Sequence, residues 1–329
     1  MRLRSFFCVV VFLLLSSGCA SVIESQYHAV KQTMVGEYYL DSKNTKRGIE
    51  VFREEVSTHP DNAEAHYYLG RFLLAEKSKK EALTYLKRAV ELSPKKADYH
   101  FWLGVAYAAN KRGDLERKSY FKALEIDKKH VQALIYLGHN QLERKQYKEA
   151  LKLYSTALEI KPANPSALYN RALIMKRLRR TPEEKLAWKE YLASYQSGAM
   201  ARRAVLHLNE LGDFEYRNYL IGRRRISLET IKFEPFSAKI IGDSRPSLKR
   251  LGNILENNKN ISIHIVAYQK NNKELAEARA KSVKKYIIKK FKAIKPSRLT
   301  VSWFDVPERI KIGKKVHREN ETINFFTAR

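Results

Sequence analysis

Apolar positions follow a helical period through the first two thirds of the chain. Residues 66–94 and 134–162 align without a gap at an offset of 68, and residues 100–128 lie halfway between them, so the pattern repeats every 34 residues. The positions that recur in register are Leu69-Gly70, Leu103-Gly104 and Leu137-Gly138, then Ala89, Ala123 and Ala157, with Pro60, Pro94 and Pro162 ending their units. Each unit is predicted to be two antiparallel helices, which bury their remaining apolar face only against the next unit.

From residue 226 the apolar period changes to two, which is typical of strands. The alternating runs are "ISLETIKFEP", "ISIHIVAY", "RLTVSWF" and "ETINFFTA", and helical patterns lie between them at about 244–257 and 272–292. The order β-α-β-α-β-β predicts an α+β sandwich with its helices on one face. Residues 199–225 are predicted to be a helix that caps the repeats, with Gly212 at its C-terminal end, and then a basic linker.

The N-terminus has the pattern of an export signal. Arg2 and Arg4 form a positive region, Phe6 to Leu15 form an apolar core, and small residues lead to Cys19. Ten apolar residues span about 15 Å as a helix, half of a bilayer core of about 30 Å. We therefore predict a signal peptide rather than a transmembrane helix.

Ser17-Gly18-Cys19 resembles the lipobox of bacterial lipoproteins, in which the cysteine is diacylated and becomes the new N-terminus. The other cysteine, Cys8, would be removed with the signal, which leaves Cys19 without a disulfide partner. Ser16 stands where that family prefers Leu, so an ordinary cleaved signal remains an alternative. The resemblance implies a signal peptide over 1–18 and a lipidated tether over 19–28. With Ala20 after the cysteine, it also implies an outer-membrane anchor facing the periplasm.

Residues 29–198 resemble the tetratricopeptide repeat, in five units of which the first and last are degenerate. The resemblance implies an all-α superhelix whose concave surface binds proteins and has no catalytic apparatus. A second stripe on the first helix of each unit should face the concavity. The residues predicted to line this partner groove are Tyr67, Arg71, Phe101, Ile135, His139 and Tyr169. The alternative, that the apolar members only complete packing between repeats, stays open.

Residues 226–329 resemble the OmpA-like peptidoglycan-associating domain. "NKELAEARAKSVKKYI" fits that family's Asn-x-x-Leu-Ser/Ala-x-x-Arg-Ala signature, with Asn272 first and Arg279 at the arginine. In the family, an Asp after the second strand and this Arg grip the diaminopimelate of the peptide stem, since an ammonium needs a carboxylate and a carboxylate suits a guanidinium fork. Here Lys270 stands in place of the Asp.

Lys270 would repel the ligand ammonium unless another acid, Glu274 or Glu321, takes the place of the missing Asp. Lys270 and Arg279 together suit a carboxylate or phosphate better than a zwitterion. We therefore predict a peptidoglycan- or anion-binding site at Arg279, Lys270 and Asn272, with weak wall binding. A domain that retains the fold without wall binding is the alternative.

Charge and motifs narrow the function class. The 63 Lys+Arg against 35 Asp+Glu give a net charge of +28, but the excess is spread over both regions instead of forming a nucleic-acid patch. No phosphate-binding loop, nucleophile elbow or metal-spaced cluster occurs, so no enzyme, cofactor or metal is predicted. We predict an envelope lipoprotein whose repeats recruit a protein while its C-terminal domain associates with peptidoglycan. The alternative is an assembly scaffold whose OmpA-like domain no longer binds the wall.

Overall fold

The computed structural model describes residues 30–328. The predicted signal peptide, the tether and Cys19 lie outside the described residues and stay predictions. Contacts between Cα atoms divide the chain into two compact units, Met1–Pro162 and Ala163–Arg329. Each unit is described by itself below.

The described part of the first unit is helical. Its helices are α1 (30–41), α2 (Thr45–Thr58), α3 (Ala63–Ala75), α4 (Lys79–Leu92), α5 (Ala97–Ala109), α6 (Gly113–Ile126), α7 (Val131–Glu143) and α8 (Tyr147–Ile160). Helices α3 and α4, α5 and α6, and α7 and α8 form the successive pairs that the 34-residue period predicts.

Local signals set the ends of these helices. Asn62 caps α3, since its side chain accepts a hydrogen bond from the Ala65 N–H at 3.1 Å. The turn within each pair contains a basic residue with a left-handed backbone, at φ between 55° and 65°. These residues recur every 34 positions as Lys43, Lys77, Lys111, Lys145 and, in the second unit, Arg179. The same turn geometry therefore recurs in each of these helical repeats without a glycine.

Close approach within each pair depends on glycine facing a large side chain. A Cβ atom added to Gly104 in α5 would lie 2.4 Å from the Tyr120 ring of α6, which is far inside van der Waals contact. Tyr120 is fully buried. Glycine is therefore required at this helix crossing by space and not by backbone conformation.

The second unit contains both helices and strands. The helices are α9 (Pro165–Arg177), α10 (Thr181–Ser194), α11 (Gly198–Glu210), α12 (Arg245–Glu256) and α13 (Lys273–Lys290). The strands are β1 (Tyr216–Ile221), β2 (Arg224–Glu229), β3 (Ser262–Gln269), β4 (Leu299–Phe304), β5 (Glu308–Ile312), β6 (Lys315–Glu319) and β7 (Glu321–Ala328). Helices α9 to α11 thus belong to the same compact unit as the strands.

The central sheet has the order β4-β3-β7. Strand β3 pairs in parallel with β4, with Ile265 opposite Val301, and antiparallel with β7, with Ile265 opposite Phe325. Helix α13 packs against β3 and β4 and connects them, as a parallel pair requires. Buried side chains of α12, α13 and the sheet, among them Leu251 and Val283, form one hydrophobic core.

The predicted fold class, tetratricopeptide helices followed by a βαβαββ OmpA-like domain, is confirmed, because β2, α12, β3, α13, β4 and β7 follow the predicted order. Two antiparallel hairpins were not predicted: β1 with β2, and β5 with β6. Strand β1 lies inside the predicted basic linker, where the alternation is masked by Arg217 and Asn218. The β5–β6 hairpin carries a charged or polar residue at most of its positions, which leaves little apolar pattern to detect.

Candidate functional site

Helix α13 places Arg279 in the interior of the C-terminal region. The side chain of Asn272 caps the helix by accepting a hydrogen bond from the Leu275 N–H at 2.8 Å. Arg279 then lies two turns into the helix, on the face where Ala276 and Ala280 are buried. The observed role of Asn272 is thus to cap the N-terminus of α13, and its role in ligand binding stays a prediction.

Arg279 is only 4 % exposed, and groups from distant segments surround its guanidinium. Its Nη1 lies 2.7 Å from Glu321 Oε2, and its Nε donates to the Ser237 carbonyl at 3.0 Å. Nη1 also donates to the side-chain oxygen of Gln269, and the Phe233 ring centroid lies 4.8 Å from Cζ. A buried cation needs a paired anion and hydrogen-bonded donors; Glu321 supplies the anion, and Nε and Nη1 are hydrogen-bonded.

Lys270 does not lie at the cavity beside Arg279. The residue is exposed on the turn after β3, where its backbone N–H donates to the Asn320 carbonyl at 2.7 Å. It does not line the cavity beside Arg279. Of the two candidate replacement acids, Glu321 contacts Arg279, while Glu274 is exposed at the start of α13. The expected anion site shared by Lys270 and Arg279 is therefore not assembled, because the turn directs Lys270 to solvent.

A cavity of about 570 Å³ adjoins Arg279. Its charged lining includes Arg217, Lys232, Glu319 and Glu321. Sequence reasoning missed Arg217, because the segment that contains it was predicted to be a linker. The aromatic-rich run "FEYRNYLI" around this arginine was the available signal.

Arg217 is tied to the β5–β6 hairpin and to β7. Its Nη1 donates to both oxygens of Glu308, at 2.8 and 2.6 Å, and to Asn324 Oδ1 at 3.0 Å. Thr322 Oγ1 also donates to Glu308, at 2.7 Å. Arg217 is 8 % exposed, so this buried ion pair helps to hold the cavity wall in place.

The apolar side chains predicted to line the partner groove are packed inside the units. Tyr67, Phe101, Ile135 and Tyr169 are only 4–8 % exposed. Tyr67 stacks on Tyr99 at 4.7 Å between ring centroids, and burial raises the pKa of its phenol well above the ordinary range. This geometry matches the packing alternative, because large side chains fill the space between successive first helices.

Arg71 and His139 differ from those four residues. Arg71 is partly exposed, and its Cζ lies 4.7 Å from the Trp102 ring centroid while its Nη1 lies 2.9 Å from Glu37. His139 is half-buried beside Tyr136 and Tyr154, and burial lowers its pKa. These two side chains therefore retain access to solvent along the first helices.

A polar row lies beside Arg71. Glu64 accepts from the Tyr99 hydroxyl, and Asp98 Oδ1 lies 3.0 Å from His130 Nε2. The hydrogen bond from His130 holds the pKa of Asp98 below its usual value. Glu37, Glu64 and Asp98 therefore make the accessible surface beside Arg71 acidic, although the chain as a whole is strongly basic. We call these three residues the acidic row.

Within residues 30–328, none of the helices is both long and apolar enough to cross a membrane. Across the same residues, no three His, Cys, Asp or Glu side chains are grouped so that they could hold a metal ion.

Comparison with known families agrees with the geometry. Residues 34–97 and 80–131 match the tetratricopeptide repeat family, and residues 138–178 match a second description of the same repeat. Residues 232–321 match the OmpA family. The predicted domain content is therefore confirmed. No curated protein matches the chain in sequence.

Comparison with solved structures finds several that are similar to part of this chain. That of Pseudomonas aeruginosa pilF is 15 % identical with a TM-score of 0.53, and the match covers 71 % of this chain and 92 % of that one. MamA is 19 % identical with a TM-score of 0.45, over 49 % of this chain and 94 % of that one. YrrB, described as a TPR protein with an unusual peptide-binding site, is 15 % identical with a TM-score of 0.44, over 53 % and 88 %. At 15 % identity, the likeness to pilF concerns the fold alone.

Proposed function

We propose that this chain is a non-enzymatic envelope lipoprotein that works as a scaffold. Cys19 carries the lipid anchor in the outer membrane, the repeats recruit a protein, and the C-terminal region associates weakly with peptidoglycan. The observation that supports this function best is the joining of tetratricopeptide repeats and an OmpA domain on one chain, with Arg279 buried beside a cavity. Both domain types commonly bind partners rather than catalyse reactions.

Weak wall association follows from the pairing of Arg279. A ligand carboxylate has to compete with Glu321 for the guanidinium. The Glu321 side chain is 63 % exposed, so displacing it into water is feasible but leaves little net gain. Attraction between exposed charges is screened over about 8 Å at physiological salt, so the association should also be salt-sensitive.

Sedimentation of the protein with purified sacculi tests the wall-binding function. Wild type should cosediment at low salt and be released as salt rises, and Arg279→Gln should remain in the supernatant. Lys259→Ala is a matched control, because it removes one exposed positive charge on the turn after α12. Glu321→Gln should bind more strongly, since the competing carboxylate is gone. Weaker binding by Glu321→Gln would instead mean that this acid holds the ligand itself.

We infer that the recruited protein meets the acidic row beside Arg71. Charge complementarity favours a partner segment with basic groups, which agrees with the exposure of Asp98. Asp98→Lys should abolish copurification of the partner, while Glu159→Lys on α8 should not, although both reverse one exposed charge. Equal copurification by the two variants would place the partner on another surface.

The lipid anchor has a separate test. A palmitate analogue should label wild type but not Cys19→Ser, and the variant should leave the membrane fraction. Persistence of the unlabelled variant in the membrane fraction would assign anchoring to the basic surface or to a partner.

A scaffold without wall binding is the second candidate. It is favoured by the same internal pairing, because Glu321 and Gln269 already occupy Arg279. In that case wild type would remain in the supernatant when sacculi are sedimented at low salt, and it would still copurify the partner through Asp98.

A further inference from the structure

A basic groove lies between α13 and the segment 239–245, which leads into α12. Its volume is about 570 Å³, and Ser282 and Tyr286 form part of its lining. Among the described lining residues, none is acidic. The cations that line the groove are Lys239, Arg245, Lys285, Lys289 and Lys290. Both segments therefore contribute positive charge to the groove.

Most of these cations have no counter-ion within the protein. Lys239 pairs with Glu234 at 2.7 Å. Within residues 30–328, the other four cations make no ion pair, and all four are exposed. Cations gathered around one groove repel one another, and an anionic partner would replace that repulsion with attraction.

An exposed aromatic residue lies on the turn that leads into the groove. The Ser237 N–H donates to the Glu234 carbonyl at 3.1 Å, so residues 234–237 form a tight turn. Phe236 is the third residue of this turn and has a left-handed backbone, φ 52°, which is strained for a bulky side chain. Phe236 is also 95 % exposed. Its ring therefore adds almost nothing to the packing of this unit, although glycine would fit the turn better.

Hydrogen bonds hold this turn beside α13. The Ser237 carbonyl accepts from Arg279 Nε at 3.0 Å, and the Lys239 carbonyl accepts from the Glu234 N–H at 2.9 Å. Ser282, which lies three residues after Arg279 on α13, lines the groove together with Lys239. The turn that carries Phe236 is therefore fixed next to the groove.

We propose that this surface docks on a phospholipid membrane with anionic headgroups. The groove cations bind lipid phosphates, and the Phe236 ring enters the layer between the headgroups and the acyl chains. A basic cluster beside an exposed aromatic side chain suits such a membrane, because the charges attract the headgroups while the ring leaves water. The proposal goes beyond the proposed function, since it gives the C-terminal unit a membrane contact of its own, separate from Cys19.

Flotation with lipid vesicles tests this assignment. The parent protein is the chain from residue 19 onward with Cys19→Ser, which keeps every described residue and has no cysteine to acylate. It should float with vesicles of phosphatidylethanolamine and phosphatidylglycerol, but not with vesicles of phosphatidylcholine alone. Because each lysine near an anionic surface contributes about fivefold in affinity, Lys285→Gln combined with Lys289→Gln should weaken binding about twentyfold.

Lys148→Gln combined with Lys152→Gln is the matched control. These lysines are exposed on α8 at the same spacing, and within the described residues neither makes an ion pair. This variant should float like the parent. Equal loss of flotation by the two double variants would overturn the role of the groove and leave only attraction through the net charge. A parent protein that does not float would overturn the proposal as well.

Phe236 has a separate test. Phe236→Gly should fold, because glycine suits the left-handed turn, and should bind the anionic vesicles about tenfold more weakly. Phe236→Trp should retain binding, and its emission, compared with that of the parent with three Trp, should shift to shorter wavelength on the vesicles.

Full binding by Phe236→Gly, or unshifted emission from Phe236→Trp, would contradict entry of the ring into the membrane. Sedimentation with sacculi distinguishes the wall as the partner. Weaker sedimentation of Phe236→Gly with unchanged flotation would assign the ring to the wall and refute the membrane proposal.

Discussion

The two units build their polar contacts over different distances along the chain. In the first unit, Arg71 pairs with Glu37 over 34 residues and His130 with Asp98 over 32, close to one repeat. In the second unit, Arg217 reaches Glu308 over 91 residues and Asn324 over 107. Neighbouring repeats therefore stabilise one another locally, whereas the C-terminal cavity exists only when distant strands have come together.

A pair of core truncations should show this difference most strongly. Leu137 in α7 and Leu251 in α12 are both 0 % exposed, so replacing either with Ala should lower the free energy of unfolding by about 2–5 kcal/mol. By hydrogen exchange, Leu137→Ala should lose protection mainly in α7 and the helices beside it. Leu251→Ala should lose it across β3, β4 and β7 together. The same spread of lost protection in both variants would contradict the comparison.

Glycine at the helix crossings should be needed within the repeats. Gly104→Ala places a Cβ 2.4 Å from the Tyr120 ring, and overpacking of this kind should cost about 1–3 kcal/mol in urea unfolding. Gly113 is the matched control, since a Cβ there has no atom within 4 Å. Gly113→Ala should be neutral or stabilise by up to about 1 kcal/mol. Equal stability of the two variants would show that the helices in a pair can separate freely.

Glycine substitution in the left-handed turns should have a smaller effect, and it should stabilise the protein. Lys111 has φ 58°, which costs about 1 kcal/mol for a residue with a side chain, so Lys111→Gly should stabilise the protein by about 0.5–1 kcal/mol. Lys118 is exposed within α6, and Lys118→Gly should destabilise by about 1 kcal/mol. Phe236 in the second unit also has positive φ, 52°, and is exposed. Phe236→Gly should therefore resemble Lys111→Gly in thermal melting.

The smallest expected effect concerns pH in the second unit. Burial alone would raise the pKa of Glu215, but hydrogen bonds from Lys189 and Lys232 outweigh it and leave the pKa below its ordinary value of 4.5. Because the folded pKa is depressed, this stabilisation is fully present above about pH 4.5 and is lost as pH falls through the folded value. As pH falls, Glu215→Gln should therefore lose less folding stability than wild type in melting experiments, by about 1 kcal/mol or less. An unchanged pH profile in the variant would mean that Glu215 contributes nothing.

Local patterns were enough for most of the elements. The signature helix beginning at Asn272 forms as predicted, because an N-cap and an apolar face lie within a few residues of each other. Strand β1 was missed, because polar residues within a short strand hide its alternation, and burial of Arg217 depends on Glu308 far along the chain.

The sequence by itself determined the 34-residue period, the order of the central strands and helices, and the position of Arg279 on a helix. These features depend on contacts between residues close in the chain or repeated at a constant spacing. Only the tertiary structure decided that Glu321 pairs with Arg279, that Lys270 faces solvent, and that Tyr67 and its equivalents are buried. Charge pairing and burial depend on distances of a few ångströms between segments, and sequence spacing does not encode those distances.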